Sequence, residues 1–460
     1  MAAAVFKIIV AVDKAGGIGK TRPDGTQFIP WTNSTDMQFF KEQTMNKTVI
    51  MGRKTYDSIG HVLNNRVNFI ISTNPQVSDL PNVKWFDDIH ECIRACKGEV
   101  YIIGGADIYA AFLKLKIVSE IVKSHITGIY KCDVNFPITF DFEPQNKITY
   151  NLDNVDNQLI VSYHTYKNIE EKQMLQFGER LLECPLRADR TATGTFSTFG
   201  AQFRFDLTNN TFPLMTTRRL FFRGIVEELL LLISGSTDSR VLEARGVNVW
   251  RGNTSREFLD SRGLQHMPVG DMGASYGWLA RHFGAVYQTC ETNYTGQGFD
   301  QLNYVIRELK TNPTSRRLVI SLWDPANLDN CPLPPCLYNY QFYSQSLPNQ
   351  TAKRELLCMM TQRSSDFAVA GGWNVATGAL LTYLIASVTD HTPQALIWNI
   401  GDAHIYQNLA ENFARQLTRQ PRCYPKLYIE PQPNIEDYRA DHIKLIGYNP
   451  HEKIDFQMAI

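Results

Sequence analysis

Three short stretches of this sequence set a chemically capable side chain in a constrained position. In LPPCLYNYQFY, residues 333–343, Cys336 follows two prolines and precedes an alternating aromatic run. Proline fixes φ, so the thiol arrives on a stiff approach. The thiolate is the nucleophilic form and is favoured by nearby arginines, although a lone cysteine on an apolar strand is also an ordinary core residue. In FIPWTNSTDMQFFK, Asp36 lies five residues beyond Trp31, with Phe39 and Phe40 following at helical spacing. A carboxyl facing an apolar cleft is desolvated, its pKa rises, and it can donate a proton; a plain helix-start role is the alternative. In VIMGRKTYDSIG, a strand leads into Arg53 and Lys54 at a helix start, a setting suited to phosphate.

These groups need scaffolds to position them. The chain has 460 residues and 43% hydrophobic content, enough for at least two cores. As far as residue 167, short β-rich runs (FKIIVAV, KTVIMG, RVNFIIS, EVYIIGG, EIVKSHI, LIVSYHTY) alternate with turns and helical stretches. That alternation predicts an α/β domain with a largely parallel sheet. From KNIEEKQMLQFGERLLE onward the helices lengthen, as in GIVEELLLLISG and NVATGALLTYLIASVTD, which places a boundary near 168 and domains at 1–167 and 168–460. No Gly/Ser-rich or Pro-rich tether marks the join.

The 46 basic and 46 acidic side chains cancel, which disfavours a dedicated nucleic-acid partner. Nine cysteines lack paired short spacings, and the closest pair, Cys92 and Cys96, has helical spacing without histidines. Reduced core thiols in a reducing compartment, and no metal, are expected. The amino terminus reads as a first strand rather than a signal peptide, and EELLLLISG is too short for a membrane span. A cytoplasmic location is expected, in which the triplets NST at 33 and NKT at 46 are chance matches for glycosylation.

The ordered set VAVDKAGGIG, IPW with Asp36, VIMGRKTYDSIG, NRVNFIIS and YIIGGADIY resembles the dihydrofolate reductase family across the first domain. The resemblance implies a mixed, mostly parallel sheet with flanking helices, and NADPH as cofactor. It makes Asp36 the ionisable group near the pterin, supported by the hydroxyl of Ser124, and Arg66 the fork that holds the folate carboxylate. Ile9, Ala11, Phe40 and Ile103 would line the pterin and nicotinamide pockets. NADPH would further meet Ile18, Gly52, Arg53, Lys54, Thr55, Ser72, Gly104, Gly105, Ala106, Ile108 and Tyr109. Arg53 and Lys54 suit an adenosine 2'-phosphate, and a cis bond is implied between Gly104 and Gly105. The segment KTRPDGTQFIPW is longer than the family usually shows and is expected to form a longer flexible loop.

From about 172 onward, DRTATGTFSTFG, PLMTTRRLFFRGIVEELL, GVNVWRGNTSREFLDSRGL, GASYGWLARHFGA, RRLVISLWDP, LPPC, QRSSD, GDAHIYQN and GYNPH resemble thymidylate synthase in family order. The resemblance implies an α+β domain that methylates dUMP with methylenetetrahydrofolate, with Cys336 as nucleophile at carbon 6 of uracil. The phosphate falls to Arg190 and Arg363, with Ser364, and to Arg316 and Arg317 of a second copy in a homodimer. Asn374 would read the uracil edge, and His404 and Tyr406 the ribose. Glu228 and Tyr276 take the proton-relay positions, Trp250 stacks on folate, and Asp366 binds its pterin. Three departures stand out. Leu337 occupies a place that is commonly histidine, FAVAGGWN replaces a more usual leucine-glycine and proline-phenylalanine pattern, and LAENF follows GDAHIYQN where a histidine is frequent. The insertion SQSLPNQTAKRE lengthens a hairpin. Two rival readings are a pyrimidine nucleotide hydroxymethylase, in which water replaces hydride, and a non-catalytic RNA binder.

Overall fold

Runs dense in Val and Ile and nearly free of charge form strands covered on both faces, and the chain as far as about residue 167 is built from such runs. A computed structural model describes residues 4–139, 141–150, 159–189, 193–346 and 353–456. It divides into two compact units. The first comprises Met1–Asn168 with Pro421–Lys426 and Leu445–Asn449, and the second Ile169–Gln420 with Leu427–Lys444 and Pro450–Ile460. The two short carboxy-terminal segments join the first unit through contacts such as Cys423 Sγ, which donates to the carbonyl of Val118 at 2.9 Å.

The first unit is an eight-stranded sheet in the order Phe142–Tyr150, Leu159–Tyr166, Val118–His125, Val5–Val12, Glu99–Gly104, Thr48–Gly52, Val67–Ile71, Val83–Phe86. Pairing is parallel from Val118–His125 to Val83–Phe86, and Leu159–Tyr166 pairs antiparallel with both of its neighbours. Helices Ser34–Thr44, Arg53–Ile59, Ile89–Ala95 and Ala106–Lys114 follow strands, as parallel crossovers require. One apolar cluster gathers Phe6, Ile8, Ile50, Ile102, Tyr109 and Phe112, and the other Ile9, Phe39, Val49, Met51, Tyr101 and Val122. Alternate residues of the same strands thus feed opposite faces. The expected flexible loop at KTRPDGTQFIPW is instead paired. Strand Gly17–Thr21 meets Gln27–Phe28 in register Lys20↔Phe28 and Thr21↔Gln27, because Asp24 and Gly25, with φ +83° at Gly25, close a tight turn.

The second unit is a six-stranded sheet in the order Leu186–Arg187, Thr195–Asp206, Thr392–Tyr406, Glu355–Asp366, Leu337–Gln345, Val319–Ser321. Thr392–Tyr406 runs parallel to Glu355–Asp366, and the other pairings are antiparallel. Helix Gly371–Val388 is apolar all round and buried along nearly its whole length, so it forms the centre of the unit. At Gly378 a Cβ would stand 2.9 Å from Met360 Sδ, so glycine there permits close approach of helix to sheet. Helices Ile169–Leu182, Phe222–Ile233, Tyr276–His282 and Gln301–Thr311 surround the sheet. The insertion falls between paired strands Leu337–Gln345 and Glu355–Asp366, and its residues 347–352 lie outside the described residues.

Candidate functional site

In the first unit, Asn33 caps helix Ser34–Thr44 by accepting the backbone N–H of Asp36 at 3.0 Å, which sets Asp36 in the first turn. Burial pushes the Asp36 carboxyl above its ordinary value, while a hydrogen bond from the Ser124 hydroxyl pulls it partly back. Ser124 is 1% exposed and stands opposite Ala11 across the parallel pair Val5–Val12 and Val118–His125. Ile9, Ala11, Trp31, Phe40 and Ile103 belong to one apolar cluster, so the carboxyl has apolar company both in sequence and in space. Arg66 is 8% exposed; its Nε donates to Thr44 Oγ1 at 2.9 Å, Nη1 donates to the carbonyl of Asn64 at 3.1 Å, and its guanidinium lies 5.9 Å from the Phe40 ring centre. Thr44, the last residue of the helix that carries Asp36, thereby holds a buried cation in place. Sequence reading did not find Thr44, which lies 22 residues from its partner.

The glycines gather at the carboxy ends of the neighbouring strands Thr48–Gly52 and Glu99–Gly104. The Gly104–Gly105 peptide is cis, as the resemblance implies. A Cβ on Gly104 would meet Tyr109 Oη at 3.4 Å and Thr55 Oγ1 at 3.5 Å, one on Gly105 would meet Thr55 Oγ1 at 3.4 Å, and one on Gly52 would meet Ile108 Cγ1 at 3.0 Å. Ile18 and Ile108 pack on the cluster that contains Tyr109, whose hydroxyl donates to the carbonyl of Ile9 at 3.0 Å. Ala106 opens helix Ala106–Lys114 behind Gly105. Ser72 follows strand Val67–Ile71, with its hydroxyl donating to the carbonyl of Asn74 at 3.2 Å. Lys54 is exposed, and Arg53 is exposed with Asp57 as a salt-bridge partner at 3.5 Å. Cofactor sites lie at such strand ends in open α/β sheets.

In the second unit, Cys336 immediately precedes strand Leu337–Gln345. Arg363, on the adjacent strand Glu355–Asp366, donates from Nε to the carbonyl of Pro335 at 2.9 Å and from Nη2 to that of Pro334 at 3.0 Å, and Nη2 lies 4.0 Å from Cys336 Sγ. Its guanidinium also lies 5.3 Å from the Trp323 ring centre. One arginine therefore fixes the diproline approach and presents positive charge to the thiol, which favours the thiolate. On the other side, the Cys336 backbone N–H donates to Tyr276 Oη at 3.0 Å. Tyr276 opens its helix at φ +27°, a value L-residues rarely adopt. Burial raises the Tyr276 hydroxyl well above the usual range, so it stays protonated.

Trp250 packs edge-on to Tyr276 with ring centres 5.8 Å apart, and donates its indole N–H to Glu228 Oε1 at 2.7 Å. Burial raises Glu228, and its hydrogen bonds from Trp373 and Trp250 lower it. His404 lies opposite Asp366 in the parallel register and shares a 2.7 Å hydrogen bond through Nδ1 with Asp402, and its ring meets Tyr406 at 5.3 Å. Asp366 accepts the N–H of Val369 at 3.0 Å, and burial raises its carboxyl. Ser364 pairs in register with Asp402, and Asn374 sits in the first turn of Gly371–Val388. Arg316 and Arg317 are exposed ahead of strand Val319–Ser321, and neither forms an ion pair or a side-chain hydrogen bond to Cys336 or Arg363 among the described residues. Arg190 lies outside the described residues. Sequence reading missed Trp373, Asp402 and Trp323 as partners; Trp373 and Trp323 reach their site residues through the fold, whereas Asp402 stands two residues from His404 within GDAHIYQN. Among the described residues no cluster of His, Cys, Asp or Glu could hold a metal ion.

Comparison with known proteins matches this geometry to two families. Residues 5–168 match the dihydrofolate reductase family model and residues 172–460 the thymidylate synthase model. The chain is 37% identical to a bifunctional dihydrofolate reductase-thymidylate synthase of Paramecium tetraurelia, covering 99% of each chain. It is 36% identical to that of Leishmania major, covering 99% of this chain and 95% of the relative, and 36% identical to a second such protein of Arabidopsis thaliana, covering 99% and 88%. With both family models in order along one chain, and relatives that match it end to end, this protein belongs to the bifunctional dihydrofolate reductase-thymidylate synthases.

Proposed function

We propose that the side chains described above divide between the two activities of this family. The synthase domain converts dUMP and methylenetetrahydrofolate to dTMP and dihydrofolate, and the reductase domain returns dihydrofolate to tetrahydrofolate with NADPH. In the synthase, Cys336 Sγ bonds to carbon 6 of uracil, and the electron pair moves through carbon 5, which takes up the one-carbon unit. The folate supplies both the carbon and the hydride. Loss of the carbon 5 proton expels the folate nitrogen from the new methylene, and the tetrahydrofolate so released passes its hydride to that methylene as Cys336 departs, which gives dTMP and dihydrofolate. Arg363, Arg190 and Ser364 bind the phosphate, Asn374 the uracil edge, and His404 and Tyr406 the ribose. Glu228 and Tyr276 move protons, Trp250 stacks on the folate, and Asp366 holds its pterin.

In the reductase, Asp36 holds the proton needed at the pterin, Ser124 orients it, and Arg66 forks the folate carboxylate. NADPH, when bound, supplies the hydride. Fit of this cofactor is supported by the bare glycines at 104 and 105, the first with φ +126°, which leave the backbone open to close approach, and by the exposed cations Arg53 and Lys54. Ile9, Ala11, Ile103 and Phe40 exclude water from the reacting rings.

A homodimer through the synthase domain is supported by a sheet face left bare within the chain. Tyr343, 58% exposed, pairs with Leu357, and Met359, 37% exposed, pairs with Gln341 on that face. Arg316 and Arg317 then serve the phosphate of the second copy. Membership in two soluble-substrate enzyme families supports a cytoplasmic location, and no helix among the described residues is long and apolar enough to cross a membrane. The hydroxymethylase and RNA-binder readings gain no support, since both family models and the relatives' names are those of the two enzymes.

The observation that carries the assignment is the setting of Cys336 between Arg363 and Tyr276. Replacing Cys336 with serine is expected to abolish dTMP formation and leave dihydrofolate reduction near wild type; Asp36→Asn is expected to do the reverse. Loss of both activities in either variant contradicts the division.

A further inference from the structure

Both oxygens of the Glu228 carboxylate are held by indoles. Trp250 Nε1 donates to Oε1 at 2.7 Å and Trp373 Nε1 to Oε2 at 2.6 Å. We propose that Trp373 is a positioning residue for the synthase reaction, fixing the second oxygen of Glu228 so that the carboxylate keeps one orientation and its charge while protons move at the uracil. This rests on Glu228 taking part in that chemistry.

Three observations support it. First, an indole N–H can only donate, so two indoles are satisfied by an ionised carboxylate and offer nothing to a carboxylic acid's proton. Hydrogen bonds to the charged form oppose the effect of burial, which raises the Glu228 carboxyl. Second, the helix that carries Glu228 has made room for the ring. Gly224 lies one turn before Glu228 on Phe222–Ile233, and a Cβ there would stand 2.8 Å from Trp373 Cη2 and 2.6 Å from Phe221 Cδ1. Gly224 has no positive φ to explain it, so the space itself is its role. Third, two of the three departures noted in the sequence differ in polarity. Leu337, beside the nucleophile, is 8% exposed and has no polar group to order water, whereas the AGGWN segment brings in an indole donor.

The test uses the full-length protein with two replacements at Trp373. Phenylalanine keeps an aromatic ring without the N–H. The sulfur isostere of tryptophan, β-(3-benzothienyl)alanine introduced by nonsense suppression, keeps the fused-ring shape and removes only the donor, so that loss of packing cannot imitate loss of the hydrogen bond. The pH profile of kcat for dTMP formation is measured for each, together with KM for dUMP and the reductase rate as an internal control. Removing a donor to the charged form raises the Glu228 pKa, so the acid limb of kcat is expected to move toward higher pH by about one unit, with kcat on that limb falling about tenfold. KM for dUMP and dihydrofolate reduction should stay within twofold. In the isostere, an acid limb that moves by less than about 0.2 units, roughly a fifth of the expected shift, overturns the proposal, as does a fall in kcat that is uniform in pH. Glu228→Gln is run alongside. If it retains full synthase activity, the assignment of Glu228 fails; if it is crippled while the isostere is unshifted, only the role of Trp373 fails.

Discussion

Replacing Ser124 with alanine removes the hydroxyl that donates to Asp36 and changes little else, since the position is 1% exposed on a central strand. The hydroxyl favours the ionised carboxylate, while burial, the larger influence, disfavours it. A hydrogen bond to a charged group contributes about 1.5–3 kcal/mol, and one pKa unit corresponds to about 1.36 kcal/mol, so full loss would raise Asp36 by roughly 1–2 units. Asp36 is only partly buried, and water can take up some of the lost contact, which leaves about one unit. The reaction needs the proton that Asp36 holds, so the reductase rate falls as pH rises through the folded pKa. The variant should therefore keep its activity about one pH unit further toward alkaline conditions. Single-turnover dihydrofolate reduction across pH reads this directly, with Asp36→Asn as the baseline that lacks the limb. A limb that is unmoved, or moved toward acid, refutes the reasoning. Stability gives a second reading of the same carboxyl. Its folded pKa is raised above the ordinary 3.8, so the folded state binds the proton more tightly, and stability declines as pH rises from that value through the folded pKa. At neutral pH Asp36→Asn should consequently melt the reductase unit at a higher temperature than wild type, and the gap should close at acid pH.

Two further outcomes follow from the second unit. If the phosphate site is shared between copies, inactive Cys336→Ser protein mixed with inactive Arg317→Ala protein, after reversible dissociation, should recover about one quarter of wild-type synthase sites, because half of the dimers are mixed and one of their two sites is whole. Verified exchange with no recovery shows that Arg317 acts within its own chain. Glu171 is fully buried and accepts the backbone N–H groups of Thr216 at 2.8 Å and Thr217 at 2.7 Å, besides both of their hydroxyls. Glu171→Ala strands two buried backbone donors at roughly 1–3 kcal/mol each, so the unit should lose about 4 kcal/mol in denaturant unfolding, and Glu171→Gln, which keeps one acceptor, markedly less. Equal losses for the two variants would show that volume rather than hydrogen bonding is at stake.

The elements were legible because their signals are local. FKIIVAV, KTVIMG and EVYIIGG read as strands because unbroken Val- and Ile-rich runs suit a position between two layers, and they appear as Val5–Val12, Thr48–Gly52 and Glu99–Gly104. The helical spacing of KNIEEKQMLQFGERLLE appears as Ile169–Leu182. The one misjudged element, the stretch from Lys20 to Phe28, looked like a loop because its polar and glycine content hides a two-residue ladder that forms only when the turn at Asp24 and Gly25 closes. Leu337 and the AGGWN segment were both visible as departures, yet the hydrogen bond from Trp373 to Glu228 was not, because nothing in AGGWN says which acceptor the indole meets.

The sequence by itself determined which side chains can do the chemistry: a thiol on a diproline approach, a carboxyl among aromatics, glycines at strand ends, and arginines in number. Tertiary structure alone decided what those side chains touch. Glu228 takes its two donors from 22 and 145 residues away, and Arg363 reaches the carbonyl of Pro335 across 28 residues of chain. Ser124 reaches Asp36 only because strand Val118–His125 lies beside Val5–Val12 in a register that puts Ser124 opposite Ala11. Periodicity tells which face of a strand or helix is buried, since that depends on residues two or four apart. Which neighbour lies against that face depends on sheet order and helix packing, and these follow from the burial of the whole core rather than from any one segment.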